Sequence, residues 1–335
     1  MPHDTSATNW TAIKATFQKP SAPTTKDTVQ PEVPSTQPKS STPTLLQKIK
    51  NGEVSPEEAV NEAFKTPFKH MSDIDFQLDI RPINCGFGSL EKNDILRDFQ
   101  PDLVIIAARP GHCKTAMGLN LALNIAKHGS SQIYSLEMTS TQMARRTITL
   151  DSGIPMHKLK LLSQDTLSRY REKIRDYDLK VDDTNGLDIN TLCARSFDYA
   201  RITRPTVTVV DYLQIVSSSK RERRDSVAEV TKGLKSLAKR LGSPIIALAQ
   251  LNREYEKRLA ENPEARPMMG DIADCADIER YADSIIILHK AYPDLVKAFC
   301  VKNRHGAEFD FQMRFNADIG RLEDLGVTKP EDKGL

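Results

Sequence analysis

Residues 103–116 read LVIIAARPGHCKTA: six apolar residues, a turn around Pro110 and Gly111, then Lys114 and Thr115 opening a helical pattern. A loop of the form G-x-x-x-x-G-K-[ST], set between a buried strand and a helix, points backbone N–H groups and the helix dipole at phosphates. Here Ala108 and Cys113 stand in the two glycine places. Ala108, Arg109, Pro110, Gly111, His112, Cys113, Lys114, Thr115 and Ala116 are the candidate nucleotide-binding segment. Lys114 is placed to reach the β- and γ-phosphates, and the Thr115 hydroxyl to bind Mg²⁺. Glycine before the lysine supplies a free φ and close approach to phosphate. Cysteine adds one Cβ and a small thiol; it is expected at the helix edge with negative φ, Gly111 absorbing the tight turn. A thiol at a helix N-terminus is also expected to have a lowered pKa, and so to be oxidisable. Without either glycine the loop is a weak signal by itself, and the rest of the chain has to decide it.

Outward from the loop, apolar runs rich in β-formers alternate with helical patterns. QIYSLE, TVTVVD, PIIALAQ and SIIILH join LVIIAA as predicted strands, with amphipathic helices over 116–127, 139–150 and 227–241. Continuous apolar strands are buried on both faces, which predicts an α/β fold with a mainly parallel sheet between helices. AFCVKN and FDFQMRF flank RHG and predict a closing β-hairpin. Residues 76–325 are therefore read as one α/β domain built around the loop, with 326–335 as a C-terminal tail. Residues 1–43 carry seven of the 19 prolines and no glycine, a composition expected to stay disordered. Within them Trp10, Ile13 and Phe17 share one helical face, either as an idle apolar segment or as a docking peptide. Residues 44–75 predict a short helical linker that is also a docking segment; SPEEAVNEAF opens with Ser55, Pro56 and Glu58 as cap, first helical residue and capping box.

Composition limits the function classes. The 335 residues carry a formal charge of +2, so any nucleic-acid surface must be local. No apolar stretch approaches a membrane span. Five scattered cysteines without a C-x-x-C pair argue against a zinc site or a disulfide framework. A reducing, cytoplasmic compartment is expected.

Three further strand ends carry chemistry. Asp211 closes TVTVVD, where a carboxylate suits a Walker B role toward Mg²⁺ or caps a turn. Glu137 closes QIYSLE, at the sheet edge where open α/β folds place ligands, and is a candidate base for water. Gln250 closes PIIALAQ, where a neutral amide can sense a γ-phosphate.

From GFGSLE at 86 to the segment ending near 325, the chain resembles the C-terminal motor domain of the DnaB-type replicative helicases, a RecA-fold family. The resemblance rests on AARPGHCKTA, SLEM, DDTNGL, VVDYLQ, EVTKGLKSLAKRLGSPIIALAQLNR, RPMMGDIADCADIERYADSIIILH and VKNRHG, in the family's order. Ala108 fits the family, whose loop can begin with alanine; Cys113 departs from it. The resemblance implies ATP and Mg²⁺ held by Lys114, Thr115 and Asp211, Glu137 as base, and Gln250 coupling the γ-phosphate to DNA loops. It implies that Lys302 and Arg304 of KNR reach a neighbouring subunit's site as cationic fingers, in a homo-oligomer expected to be a hexamer.

It further implies single-stranded or forked DNA threaded past loops after Asp211 and Gln250. The first holds Lys220, Arg221, Arg223 and Arg224 in a polar, flexible setting without aromatics, which favours backbone tracking. The second, DIADCADIE, has Ala273 and Ala276 where a basic residue and a glycine are common; Asp274 and Ala276 are its candidate contacts, through backbone amides. A larger N-terminal domain usual in the family is expected to be missing, as in compact phage or plasmid helicases, leaving the tail to meet a primase or loader. Two other readings stay open: a nucleotide-bound, catalytically weak partner of a host helicase, and a RecA-type recombinase.

Overall fold

A computed structural model describes residues 81–220, 222–262, 265–273 and 275–328. The chain divides into two units, Met1–Asp75 and Phe76–Leu335, and the described residues belong to the second. The tail over 1–43, the Trp10 segment and the linker over 44–75 lie outside the described residues.

In chain order the described part runs α1 (Gly88–Lys92), β1 (Leu103–Ala108), α2 (Lys114–Ala126), β2 (Ser130–Ser135), α3 (Ser140–Ser152), α4 (Met156–Leu159) and α5 (Gln164–Arg175). It continues with β3 (Asp178–Asp182), α6 (Ile189–Ala200), β4 (Val207–Asp211), α7 (Arg223–Leu241) and β5 (Ile245–Gln250). Then follow α8 (Glu254–Glu261), α9 (Cys275–Tyr281), β6 (Ser284–Tyr292), β7 (Leu295–Asn303), β8 (Phe309–Asn316) and β9 (Arg321–Val327). The strands form one sheet in the order β3-β2-β4-β5-β1-β6-β7-β8-β9. The first six are parallel, and β6 to β9 pair antiparallel.

The apolar run 103–108 is buried at every position because the sheet has a core on each face. Leu103, Ile105 and Ala107 pack into one cluster with α6 and α7 residues such as Leu192, Val230 and Leu234. Val104, Ile106 and Ala108 pack into the other with Met117, Leu121 and Ala122 of α2. Alternate side chains of one strand thus enter opposite layers. Gly118 allows α2 to lie close on the sheet: a Cβ there would stand 2.9 Å from Leu248 Cδ1 and 3.3 Å from Val209 Cγ1. Helix α3 starts from Thr139, whose hydroxyl accepts from the Gln142 N–H while the Gln142 side chain accepts from the Thr139 N–H, a capping box.

The five predicted parallel strands and the hairpin around RHG are present, and four features differ. Strand β3, DLKVD, escapes the sequence reading because its residues are only half buried or exposed at the sheet edge. β6 continues past His289 to Tyr292 and makes a second hairpin with β7. β9 is a ninth strand, reaching Val327 and so two residues beyond 325. Helix α7 begins at Arg223, four residues before 227.

Candidate active site

Strand register brings the site together. Ala108 lies opposite Gln250, and Ser135 lies opposite Asp211. The phosphate loop and the segments carrying Glu137, Asp211 and Gln250 therefore leave the sheet at one edge, the carboxyl ends of parallel strands.

The loop turns on two residues in the left-handed region. Gly111 has φ 81° with open space where a Cβ would be, as its tight turn requires. Cys113 has φ 65° and ψ 15°, so the expectation of negative φ is corrected. The residue just before α2 bends the chain so that the helix starts at Lys114, which puts an L-residue where glycine is favoured. The lowered thiol pKa is corrected too: burial pushes Cys113 up to about 11, with Lys290 opposing only in part. The desolvated thiolate is too costly for the helix end to offset. His112 donates its N–H to the Arg109 carbonyl at 3.1 Å, and its ring Nδ1 accepts from the Lys290 N–H at 3.0 Å.

Lys114 is largely buried, with Nζ 3.5 Å from Asp211 Oδ1 and 3.6 Å from the centre of the Tyr212 ring. Burial lowers its pKa, and the carboxylates of Asp211 and then Glu137 oppose that shift. Asp211 is 2% exposed, and neither of its carboxylate oxygens makes a hydrogen bond among the described residues. The Lys114 ammonium offsets the charge of this buried carboxylate from 3.5 Å, and the carboxylate keeps lone pairs open to a second cation. With the Thr115 hydroxyl one residue beyond Lys114, the donor set is all oxygen and suits a hard divalent cation such as Mg²⁺.

Glu137 is exposed and stands beyond β2 rather than in it. The chain leaves the strand because the Ser135 hydroxyl donates to the Met138 carbonyl at 2.7 Å, curling residues 136–138. Gln250 is half-buried, and its backbone is bracketed by Gln214: the Gln250 N–H donates to Gln214 Oε1 at 3.2 Å, and Gln214 Nε2 donates to the Gln250 carbonyl at 3.4 Å.

Lys302 and Arg304 are not brought to this edge. Lys302 is level with Ile285, which is level with Ile105, and the Arg304 N–H donates to the Asp283 carbonyl. Lys302 Nζ donates to the Glu279 carbonyl. The Arg304 guanidinium donates to Asp283 Oδ1 at 3.0 Å and to the Arg280 carbonyl at 2.9 Å. Both cations thus hold the C-terminal end of α9, where carbonyls favour positive charge. From Ile105, at the level of Lys302, to Ala108 is roughly 10 Å of strand. Asp283 is buried and also accepts from the Leu103 N–H at 2.7 Å and Lys235 Nζ at 2.6 Å.

Of the candidate DNA residues, Lys220 is exposed, and Arg223 and Arg224 lie in the first turn of α7. The flexible setting expected for all four cations is therefore corrected for those two: the helix claims them. Ala276 is exposed on the first turn of α9, while Arg221 and Asp274 lie outside the described residues. Sequence reasoning missed Gln214 and Asp283. VVDYLQ carries the first and YADSIIILH the second, but the partners that reveal their roles are distant in sequence.

A family model for the DnaB-like helicase C terminal domain matches residues 83–324. The chain is 32% identical over 253 residues to a "Probable plasmid replicative DNA helicase" of Chlamydia psittaci, covering 71% of this chain and 54% of that protein. It is 30% identical over 266 residues to the "Replicative DNA helicase DnaB" of Geobacillus stearothermophilus, covering 74% and 57%. The chain spans about half the length of these curated relatives. Among solved structures it is similar to one described as an "ATPase Domain", with TM-score 0.67 and 25% identity over 83% of this chain and 98% of that one. A KaiC-like protein from Pyrococcus horikoshii OT3 matches in fold alone, with TM-score 0.52 and 13% identity over 73% of this chain and 99% of that one. The sheet between two helical layers is thus a RecA-like core. Residues 83–324 carry the match over most of the chain, and the chain belongs to the family of the DnaB-like helicase C-terminal domain.

Proposed function

We propose that the chain is the ATP-hydrolysing motor of a ring-forming replicative DNA helicase, moving 5′ to 3′ on single-stranded DNA and opening duplex ahead of it. The observation that carries this reading is a divided set of groups. A phosphate loop, a buried carboxylate without hydrogen-bond donors, an exposed carboxylate and an amide share one sheet edge, while two cations stand at the other.

Lys114 leaves its place beside Asp211 to bind the terminal phosphates of ATP. Thr115 and Asp211 would hold Mg²⁺, which when bound would neutralise phosphate charge. Glu137 accepts the proton of the attacking water. Gln250 donates to the γ-phosphate, and Gln214 fixes the peptide that carries it. Lys302 and Arg304 complete a neighbour's site rather than their own, stabilising charge on the transferred phosphoryl. Lys220, Arg221, Arg223 and Arg224 neutralise DNA phosphates, with residues 272–276 as the second contact. The assembly is a homo-oligomer, assigned as a hexamer, and the N-terminal segment is assigned to a primase or loader.

Purified protein with ATP and Mg²⁺ should displace a labelled strand from a forked duplex. Glu137→Gln should still bind nucleotide and lose about 10²–10⁴ in turnover. A Glu137→Gln protein retaining more than half its turnover would remove Glu137 as the base. Absence of both displacement and single-stranded-DNA stimulation of turnover in the unaltered protein would overturn the reading.

A further inference from the structure

We infer that α8 is a connecting rod between the phosphate loop and the second DNA loop, with Glu256 and Arg258 as its two positioning residues. The inference rests on the proposed reading of 272–276 as a DNA contact and adds how that contact reaches the nucleotide.

One end of the rod grips the phosphate loop. Arg109, the first residue after β1, donates Nε to Glu256 Oε1 at 2.7 Å and a terminal N–H to Glu256 Oε2 at 3.2 Å. Its other terminal nitrogen donates to the Leu251 carbonyl at 2.7 Å. The guanidinium is thus fixed by a fork to α8 and a bond to the residue after Gln250. Because His112 closes its turn on the Arg109 carbonyl, moving Arg109 moves the turn that presents Lys114.

The other end grips the DNA loop at its root. Arg258 forms a second fork, donating to Asp271 Oδ1 at 2.6 Å and Oδ2 at 2.7 Å. Asp271 is 1% exposed and also accepts from the Met268 N–H at 2.8 Å. The Asn252 N–H donates to the Asp271 carbonyl, and the Ala273 N–H to the Gln250 carbonyl. Residues 268–273 therefore ride on the exit of β5 and on α8 together.

Just before the first fork the helix is pinned. Tyr255 is buried and meets the His289 ring edge-on at 5.7 Å, and His289 lies 5.4 Å from His112 of the phosphate loop. Residues two apart on a helix point to different sides, so the Glu256 and Arg258 forks reach different neighbours and α8 moves as one body. Each fork also has one largely buried member, Arg109 or Asp271, which fixes its geometry.

The test compares turnover with and without saturating oligo(dT) in the full chain, alongside oligo(dT) affinity and the thermal midpoint. Glu256 is exposed, so Glu256→Ala removes one fork without burying an unpaired carboxylate; Arg258→Lys keeps the charge opposite Asp271 and removes the other. Each should lower the stimulation ratio by about fivefold or more, leaving basal turnover and oligo(dT) affinity within about twofold. The double variant should fall no further than the worse single one, because the contacts act in series. An unchanged ratio in Glu256→Ala, a proportional loss of basal and stimulated turnover, or multiplying losses in the double variant would overturn the rod. If oligo(dT) fails to stimulate the unaltered protein, the helicase reading falls and the rod with it; if stimulation is normal and both variants match it, the rod alone falls.

Discussion

Cys113 sits at the sharpest point of the phosphate loop, an L-residue with φ 65° and ψ 15° just before α2. Its place in the loop follows from LVIIAA before it and Lys114–Thr115 after it. Its backbone does not, because φ 65° depends on how sharply the chain must turn into α2. The left-handed conformation costs a non-glycine residue about 1–2 kcal/mol, and glycine gives back roughly 0.5–1 kcal/mol through the entropy of the unfolded chain. Cys113→Gly should therefore stabilise the protein by up to about 1 kcal/mol, raising the thermal midpoint by about 2–4 °C. Its ATPase turnover should change less than about tenfold, a barrier difference under ~1.4 kcal/mol. An inert parent beside an active glycine variant would mean a disabled loop. The thiol, pushed up to about 11 by burial, should alkylate at pH 8 more slowly than a free cysteine; a faster reaction would contradict the burial seen here.

At the scale of elements, legibility follows burial. Strands β1, β4 and β5 are mostly apolar because two cores claim their alternate residues, and their patterns are plain in the sequence. β3 is an edge strand of DLKVD, whose charges leave no such pattern. Strand β8 alternates buried with half-buried residues over its first half, whereas β9 buries one residue, Leu322, and so leaves little apolar pattern. The basic stretch after β4 is part loop and part helix: Lys220 precedes α7, and Arg223 and Arg224 open it. Cations in a first turn oppose the helix dipole, a cost that DNA phosphate would offset. Replacing Lys220, Arg221, Arg223 and Arg224 together with alanine should weaken single-stranded DNA binding. Each lost phosphate contact should flatten the slope of log K against log salt by roughly 0.7. An unaltered slope would place the DNA on another surface.

At the largest scale, the sheet separates the two sets of residues that the proposed function joins in one reaction. Lys114, Asp211, Glu137 and Gln250 converge at the carboxyl ends of the parallel strands, while Lys302 and Arg304 rest against α9 and Asp283 at the other end. The loop half is legible from strand-end residues, whereas the trans role proposed for the cations rests on the family resemblance at KNR alone. Their resting partners are not, since Asp283 and Arg304 meet only when β6 and β7 pair. Under the proposed function, a site divided this way requires two copies of the chain. Arg304→Ala should bind ATP and turn over poorly, and Lys114→Ala should fail at its own loop. The decisive measurement mixes these two proteins with single-stranded DNA, follows subunit exchange by native mass spectrometry, and reads ATPase rate against mixing ratio. A rate rising well above the sum of the separate proteins, with its maximum at intermediate ratios, is expected, because some interfaces then pair an intact loop with an intact Arg304. A rate equal to that sum at every ratio, in rings whose subunits have exchanged, would contradict a site completed by the neighbouring copy.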